Sequence, residues 1–361
     1  MKEKFRQLFF PDKAGSWHVN SLDGFRGNAI LILLLTHSSN WSMFFATHLN
    51  FQLAGRAGAC LFFVLSSYLL SRQMILILAG NKPLVPNFKK FYIRRILRIY
   101  PLYFVGLIML GALTYYFGKI GMYAYPISNA PFHLLLLRGD GIFWTLAVEL
   151  KYYLALPFFM LICYKITRFQ LVKTIVFLLG FYALAFGIWV LIRFYPFPFM
   201  EALPAFLMGT FIATLEFNLK ERTLSRKGAR ALDGAGIICI IIMLLNIPYY
   251  HDLIFGGRMD IKQALYYPFF GGLWTLVMLS ARYGSGFIKA VFEIKPLIFL
   301  GTIAYSIYIF HLPILFLANS EWLGLPQDLK VYFFVTCTLL VATIGYLLIE
   351  RPLTVLKLKF E

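Results

Sequence analysis

Apolar runs of about twenty residues follow one another along the whole chain, separated by short polar stretches. An α-helix rises 1.5 Å per residue, so each run has the length needed to cross a hydrocarbon core of about 30 Å. Ten such segments stand out, near residues 27–47, 57–79, 101–118, 142–163, 171–192, 199–216, 231–248, 265–281, 297–317 and 331–350. Open sheet edges cannot face lipid, so the pattern predicts an all-α polytopic membrane protein of about ten transmembrane helices. The first segment is long and lacks a small-residue cleavage site, which makes it a retained span and not a signal peptide. There is no internal repeat and no low-complexity segment. Too little chain lies outside the spans for a second, soluble domain, so residues 1–361 read as a single integral-membrane domain.

Composition agrees with this reading. The chain is 60% hydrophobic and only 14% charged, where a soluble domain carries about 25% charged residues. Its formal net charge of +18 raises the question of nucleic acid, and the distribution of the charge answers it. The N-terminal tail, the C-terminal tail and the loops after the even-numbered spans, with their flanks, hold about three quarters of the 34 Lys and Arg, a bias that places both termini in the cytoplasm. The charge excess is topological, and nucleic acid drops out as a partner. Cys60, Cys163, Cys239 and Cys337 lie in apolar runs without a CxxC pair or neighbouring histidines. They read as small buried hydrophobes, with no metal site.

The segment PNFKKFYIRRILRIYP, Pro86 to Pro101, adds an amphipathic helix at the cytoplasmic interface. Lys90, Arg94, Arg95 and Arg98 fall on one side of a helical wheel and Ile93, Ile96, Leu97 and Ile99 largely on the other. Two readings stand open: an orientation anchor held by anionic headgroups, or a cationic mouth for a phosphorylated cytoplasmic ligand.

Ionisable residues within the spans are costly to bury and are functional candidates by default. In DGFRGNAILILLLTHSSNW, Arg26 and His37 are eleven residues apart. That spacing puts them on one helix face, roughly 16 Å apart along the axis. The first lies at the cytoplasmic edge and the second near mid-span. Glu149 in GIFWTLAVELKYYLALPFF is about 11 Å into its span from the outer side, close to the depth of His37. A carboxylate and an imidazole at matching depth suggest an orienting partner and a base, with Tyr308 and Asp23 the next candidates to partner His37. Ser306, Tyr308 and His311 near the outer end of the ninth span take a supporting role, because tyrosine and histidine are common interface residues there. Gly55 and Gly58 have the spacing of close helix packing. Ser66 and Ser67 have no base at a fixed spacing and read as packing residues.

Taken together, Arg26 with His37, GRAGACLFFVLSSYLL, RRILRIYP with Arg95 and Arg98, FWTLAVELKYYLALP, AYSIYIFHLPI and IERP (Glu350 to Pro352) resemble the acyltransferase-3 family of membrane acyltransferases. The order and spacing match across almost the whole chain. Asn28 and Ser67 depart from the usual apolar residue and glycine at their positions. The resemblance implies a ten-helix fold in the bacterial inner membrane and O-acylation, usually acetylation, of a sugar hydroxyl in a surface polysaccharide, glycolipid or glycosylated product. It implies acyl-CoA as donor substrate, with no permanently bound cofactor, and a glycan or glycolipid acceptor beside the lipid bilayer. It makes His37 the catalytic residue, aided by Glu149, and turns Arg26, Arg95 and Arg98 toward the CoA phosphates. Asp23, Ser66, Trp144, Ser306, Tyr308 and His311 support them. Some members carry an additional esterase-like domain, for which the chain as given leaves no room. A different class, a transporter or flippase of glycolipid precursors, would use Arg26, His37 and Glu149 as a proton relay. Inverted repeats and helices broken at mid-span would mark it.

The orientation has a direct test. A cysteine at Asn81, in an otherwise thiol-free variant, is expected to react only with reagents that enter the cytoplasm. Labelling of intact cells by an impermeant reagent would reverse the topology.

Overall fold

The computed structural model describes residues 20–46, 50–52, 54–118, 129–137, 139–192, 198–220, 223–256 and 263–353, and among these the chain is helical without a strand. The two tails expected in the cytoplasm, residues 1–19 and 354–361, lie outside the described residues, as does the end of the first expected span at residue 47. In chain order the helices are α1 (Asn20–Asn40), α2 (Gly55–Leu78), α3 (Leu84–Phe117), α4 (Ala130–Leu134), α5 (Trp144–Thr167), α6 (Leu171–Ile192) and α7 (Pro198–Leu219). They continue with α8 (Arg226–Leu245), α9 (Pro248–Phe255), α10 (Gln263–Tyr283), α11 (Phe287–Phe292), α12 (Lys295–Thr302), α13 (Ala304–Asn319) and α14 (Gln327–Gly345).

The ten expected segments all meet helices, with four corrections. The first begins and ends seven residues early: α1 opens at Asn20, with Asp23 in its first turn, where the helix dipole favours an acid, and stops before a turn through Trp41 and Ser42. The interfacial segment is not separate. It runs into the third span as one helix of 34 residues with Pro101 inside, about 51 Å long and so well beyond a hydrocarbon core. The ninth span is broken, α12 and α13 meeting at a bend of 77°. The tenth ends in a π-helical turn, Tyr346–Glu350. Among the described residues, seven helices are long and apolar enough to cross a membrane, and eight if the bent pair counts as one span. Helices α1 and α10, each of 21 residues, have the length but not the apolarity, so a count of ten depends on these two.

The chain packs as two compact units. The first comprises Met1–Thr36, Ala46–Ile75 and Thr167–Ala304. In it α10 packs on α7 and α8, and α7 on α6. A Cβ at Gly27 of α1 would fall on the carbonyl oxygen of Leu297, and one at Gly301 on that of Asp23. Only glycine lets α1 and α12 approach backbone to backbone, the small-residue device of membrane helices. Gly58 of α2 meets the Ala29 carbonyl in the same way. The acidic residues buried here are all satisfied. Glu216 accepts from Tyr68 Oη at 2.7 Å, Arg72 Nε at 3.0 Å and an Arg282 guanidinium nitrogen at 3.1 Å. Asp233 accepts from Ser280 Oγ at 2.7 Å and from the backbone and hydroxyl of Ser285. Asp23 pairs with Arg26 one turn on, at 2.5 Å. Helix α6, by contrast, exposes Val172, Val176, Leu179, Leu184 and Leu191, as suits a helix facing lipid.

The second unit comprises His37–Phe45, Leu76–Ile166 and Tyr305–Glu361. It holds the end of α1, α3, α5, α13 and α14, with the π turn packed on α3. Tyr305 Oη donates to the Ile99 carbonyl at 2.6 Å and Tyr92 Oη to that of Leu154 at 3.0 Å. Gly106 makes room for Ile309, and Gly345 for Phe310. These contacts fix α13 against α3 and α14 and set the level at which the polar side chains of this unit meet.

Candidate active site

Two groups of polar side chains in the second unit gather residues singled out from the sequence. The first is ionic. Arg95 and Arg98, one turn apart on α3, share a face. Glu149 and Tyr153, one turn apart on α5, are joined by a hydrogen bond from Tyr153 Oη to the carboxylate at 2.5 Å. Both arginines are attracted electrostatically to Glu149, and Arg98 also to Glu350. The Arg95 guanidinium lies over the rings of Phe91 and Tyr153, 5.9 and 5.7 Å from their centroids, a cation–π arrangement. Its Nε finds no hydrogen-bond acceptor. Glu350 sits at the end of the π turn and accepts from Ser306 Oγ of α13 at 2.7 Å. A π turn inserts an extra residue per turn and re-aims the side chains that follow, a device frequent at functional sites. Two arginines and two acidic side chains, from α3, α5 and the π turn, thus share one neighbourhood.

The second group is built on two imidazoles. His311 of α13 is completely buried. Its Nδ1 lies 2.8 Å from the Tyr308 carbonyl and 3.2 Å from that of Ile307. Carbonyls only accept, so Nδ1 carries the proton. Nε2 is then the bare lone pair, and it is buried with no hydrogen-bond partner. The ring of His37, half-buried near the end of α1, stands beside it with centroids 5.0 Å apart. The Tyr308 ring is 6.0 Å from His311 on the other side. Tyr308 Oη is 2.5 Å from Thr145 Oγ1 and donates to the Ile142 carbonyl.

The residues singled out from the sequence are therefore sorted by the fold. His37, Tyr308 and His311 come together. Glu149, Arg95, Arg98 and Ser306 come together in the ionic group. The contact that the structure gives His37 is His311, while Glu149 is engaged by Tyr153 and the arginines. Matching depth placed Glu149 beside His37, but depth along an axis says nothing of the direction in which a side chain points. In the first unit, Arg26 is half-buried and paired with Asp23. Ser67 packs against Gly209 and donates to the Val64 carbonyl at 3.1 Å, Ser66 is half-buried on the same helix, and Trp144 opens α5, half-buried, in the second unit. Three participants had no role assigned from the sequence: Tyr153, Tyr305 and Glu350. Glu350 was the detectable one, an acid at the end of an apolar run.

Chemically, the histidine pair can take up and release a proton away from water, and the half-buried ring of His37 is the reachable one. The sequence model of the acyltransferase domain family matches residues 19–350. The chain belongs to this acyltransferase family. Both polar groups fall within the matched segment. Among related proteins, the peptidoglycan O-acetyltransferase OatA of Listeria monocytogenes is 26% identical over 93% of this chain and 56% of its own length. The O-acetyltransferase OatA of Staphylococcus aureus strain NCTC 8325 is 24% identical over 93% of this chain and 57% of its own. A putative O-acetyltransferase of S. aureus strain COL is 23% identical over the same shares. The chain thus spans little more than half the length of these relatives. No solved structure matches it.

The ionic group yields a stability prediction. Arg98→Ala takes one cation from the neighbourhood of Glu149 and Glu350. For half-buried groups the loss is expected to cost about 1 kcal/mol, so the melting temperature of the purified protein in detergent is expected to fall by a few degrees. Adding Glu350→Gln to Arg98→Ala is expected to recover much of the loss. An unchanged melt for Arg98→Ala would show that the cluster carries no structural weight.

Proposed function

We infer that this protein is a ten-helix membrane O-acyltransferase that moves an acetyl group from acetyl-CoA to a sugar hydroxyl of a cell-envelope glycan of the peptidoglycan type. The observation that carries the reading is the family match over residues 19–350. The names of the related O-acetyltransferases supply the group and the class of acceptor, and the basic-residue bias supplies the orientation, with both termini in the cytoplasm of an inner-membrane protein.

In this reading His37 is the general base. The neutral imidazole is the form a base needs. It takes the proton of the acceptor hydroxyl as the oxygen attacks the thioester carbonyl, and the proton passes to the departing thiolate. Arg95, whose Nε has no acceptor, brings uncommitted hydrogen-bonding capacity to the cytoplasmic half of α3 and suits a CoA phosphate. Arg98, one turn along the same face and drawn to Glu149 and Glu350, is offered to the same phosphates, and Glu149 acts on the reaction through its field. A transporter would not account for the acyltransferase match, and that alternative is not favoured.

Thiol release from acetyl-CoA by purified protein, with and without a muropeptide acceptor, tests the reading. Wild type is expected to release thiol faster with acceptor. His37→Ala is expected to insert and bind acetyl-CoA normally while turnover falls by about 10² or more, the usual worth of a general base. Silence from wild type, or an active alanine variant, would contradict it.

A further inference from the structure

His311 is a fully buried imidazole with one nitrogen committed and the other left bare. Leaving a buried polar atom unpaired costs free energy, and such an atom in a native structure calls for a reason. The hydrogen bond of Nδ1 to the Tyr308 carbonyl fixes the tautomer, so the bare atom is an acceptor and not a donor. The nearest ring is His37, with centroids 5.0 Å apart and planes inclined at 53°. At that separation a modest turn of either ring brings two nitrogens to the roughly 3 Å of a hydrogen bond.

We propose that His311 is the positioning partner of His37, its bare Nε2 accepting the N–H of one His37 nitrogen so that the other presents its lone pair to the acceptor hydroxyl. This rests on the acyltransferase reading. It gives His311 the place that the depth argument gave to Glu149, and it uses a neutral acceptor where a serine-protease triad uses a carboxylate. The balance of the step is complete. The hydroxyl oxygen forms a bond to the acyl carbon, its proton goes to His37, and the C–S bond breaks. While His37 is an imidazolium, its other N–H is held by His311 Nε2, which shares the charge. The proton then leaves His37 for the thiolate, and both rings return to neutral. A neutral partner suits an unreacted site in a low-dielectric interior, since it adds no charge that must itself be balanced.

A purely structural His311 would serve only to satisfy the Tyr308 and Ile307 carbonyls, and the two roles separate by substitution. His311→Asn keeps a donor near the position of Nδ1 and removes Nε2. His311→Gln places an amide oxygen near the position of Nε2. His311→Leu fills the volume without a polar atom. Thiol release from acetyl-CoA with muropeptide acceptor is measured for each purified full-length variant. For His311→Asn, kcat is expected to fall by about 10² with the KM for acetyl-CoA within about twofold of wild type, and His311→Gln is expected to exceed it by about tenfold. Should asparagine fail to fold, Gln against Leu decides, with Gln expected to be the faster by at least about tenfold. Turnover by His311→Asn within threefold of wild type, or equal turnover by Gln and Leu, overturns the proposal while leaving the acyltransferase reading intact. No thiol release by wild type overturns both.

Discussion

Inside a protein that faces lipid, a polar side chain has only other side chains and the backbone to satisfy it, and this one constraint organises what the helices of each unit present to one another. In the first unit it joins Glu216 to Tyr68, Arg72 and Arg282, and Asp233 to Ser280 and Ser285. Each is a knot between helices far apart in sequence. Their number explains how a chain with so few charges keeps so many of them inside. The same demand governs the second unit, with a different outcome. Arg95 and Arg98 are drawn to Glu149, and Arg98 to Glu350, across α3, α5 and the π turn, and the imidazole of His311 remains with its Nε2 unmatched.

That contrast separates the scaffold from the chemistry. A balanced ionic group is expensive to assemble and more expensive to break, which favours a unique arrangement of the helices bearing it. It surrounds the residues that follow it on α13: Ser306 is bonded to Glu350, and Tyr305 to the backbone of α3. Tyr308 and His311, one turn along, are thereby set in place.

Much of the fold was legible because hydropathy registers length and period. Each apolar segment meets a helix, and the acyltransferase family was readable from motifs whose spacing survives at low identity. What could not be read was direction. A helical wheel places Arg95 and Arg98 on one face but is silent about what faces them, so an orientation anchor and an ionic knot look alike. Depth along an axis does not fix direction, and the Glu149 side chain turns to Tyr153 and the arginines. The bend at Ile303 disappears in a window that averages over it. His311 resembled an interface residue because its decisive bond, to a carbonyl three residues back, leaves no trace in composition.

In the proposed mechanism His37, backed by His311, is the reacting side chain. Diethyl pyrocarbonate acylates neutral imidazoles, and mass analysis of peptides reads the extent at each histidine, while thiol release from acetyl-CoA is followed on the same samples. Activity is expected to fall in proportion to modification of His37, and saturating acetyl-CoA with an acceptor analogue is expected to slow both together. Full activity in protein whose His37 is completely modified would contradict the account.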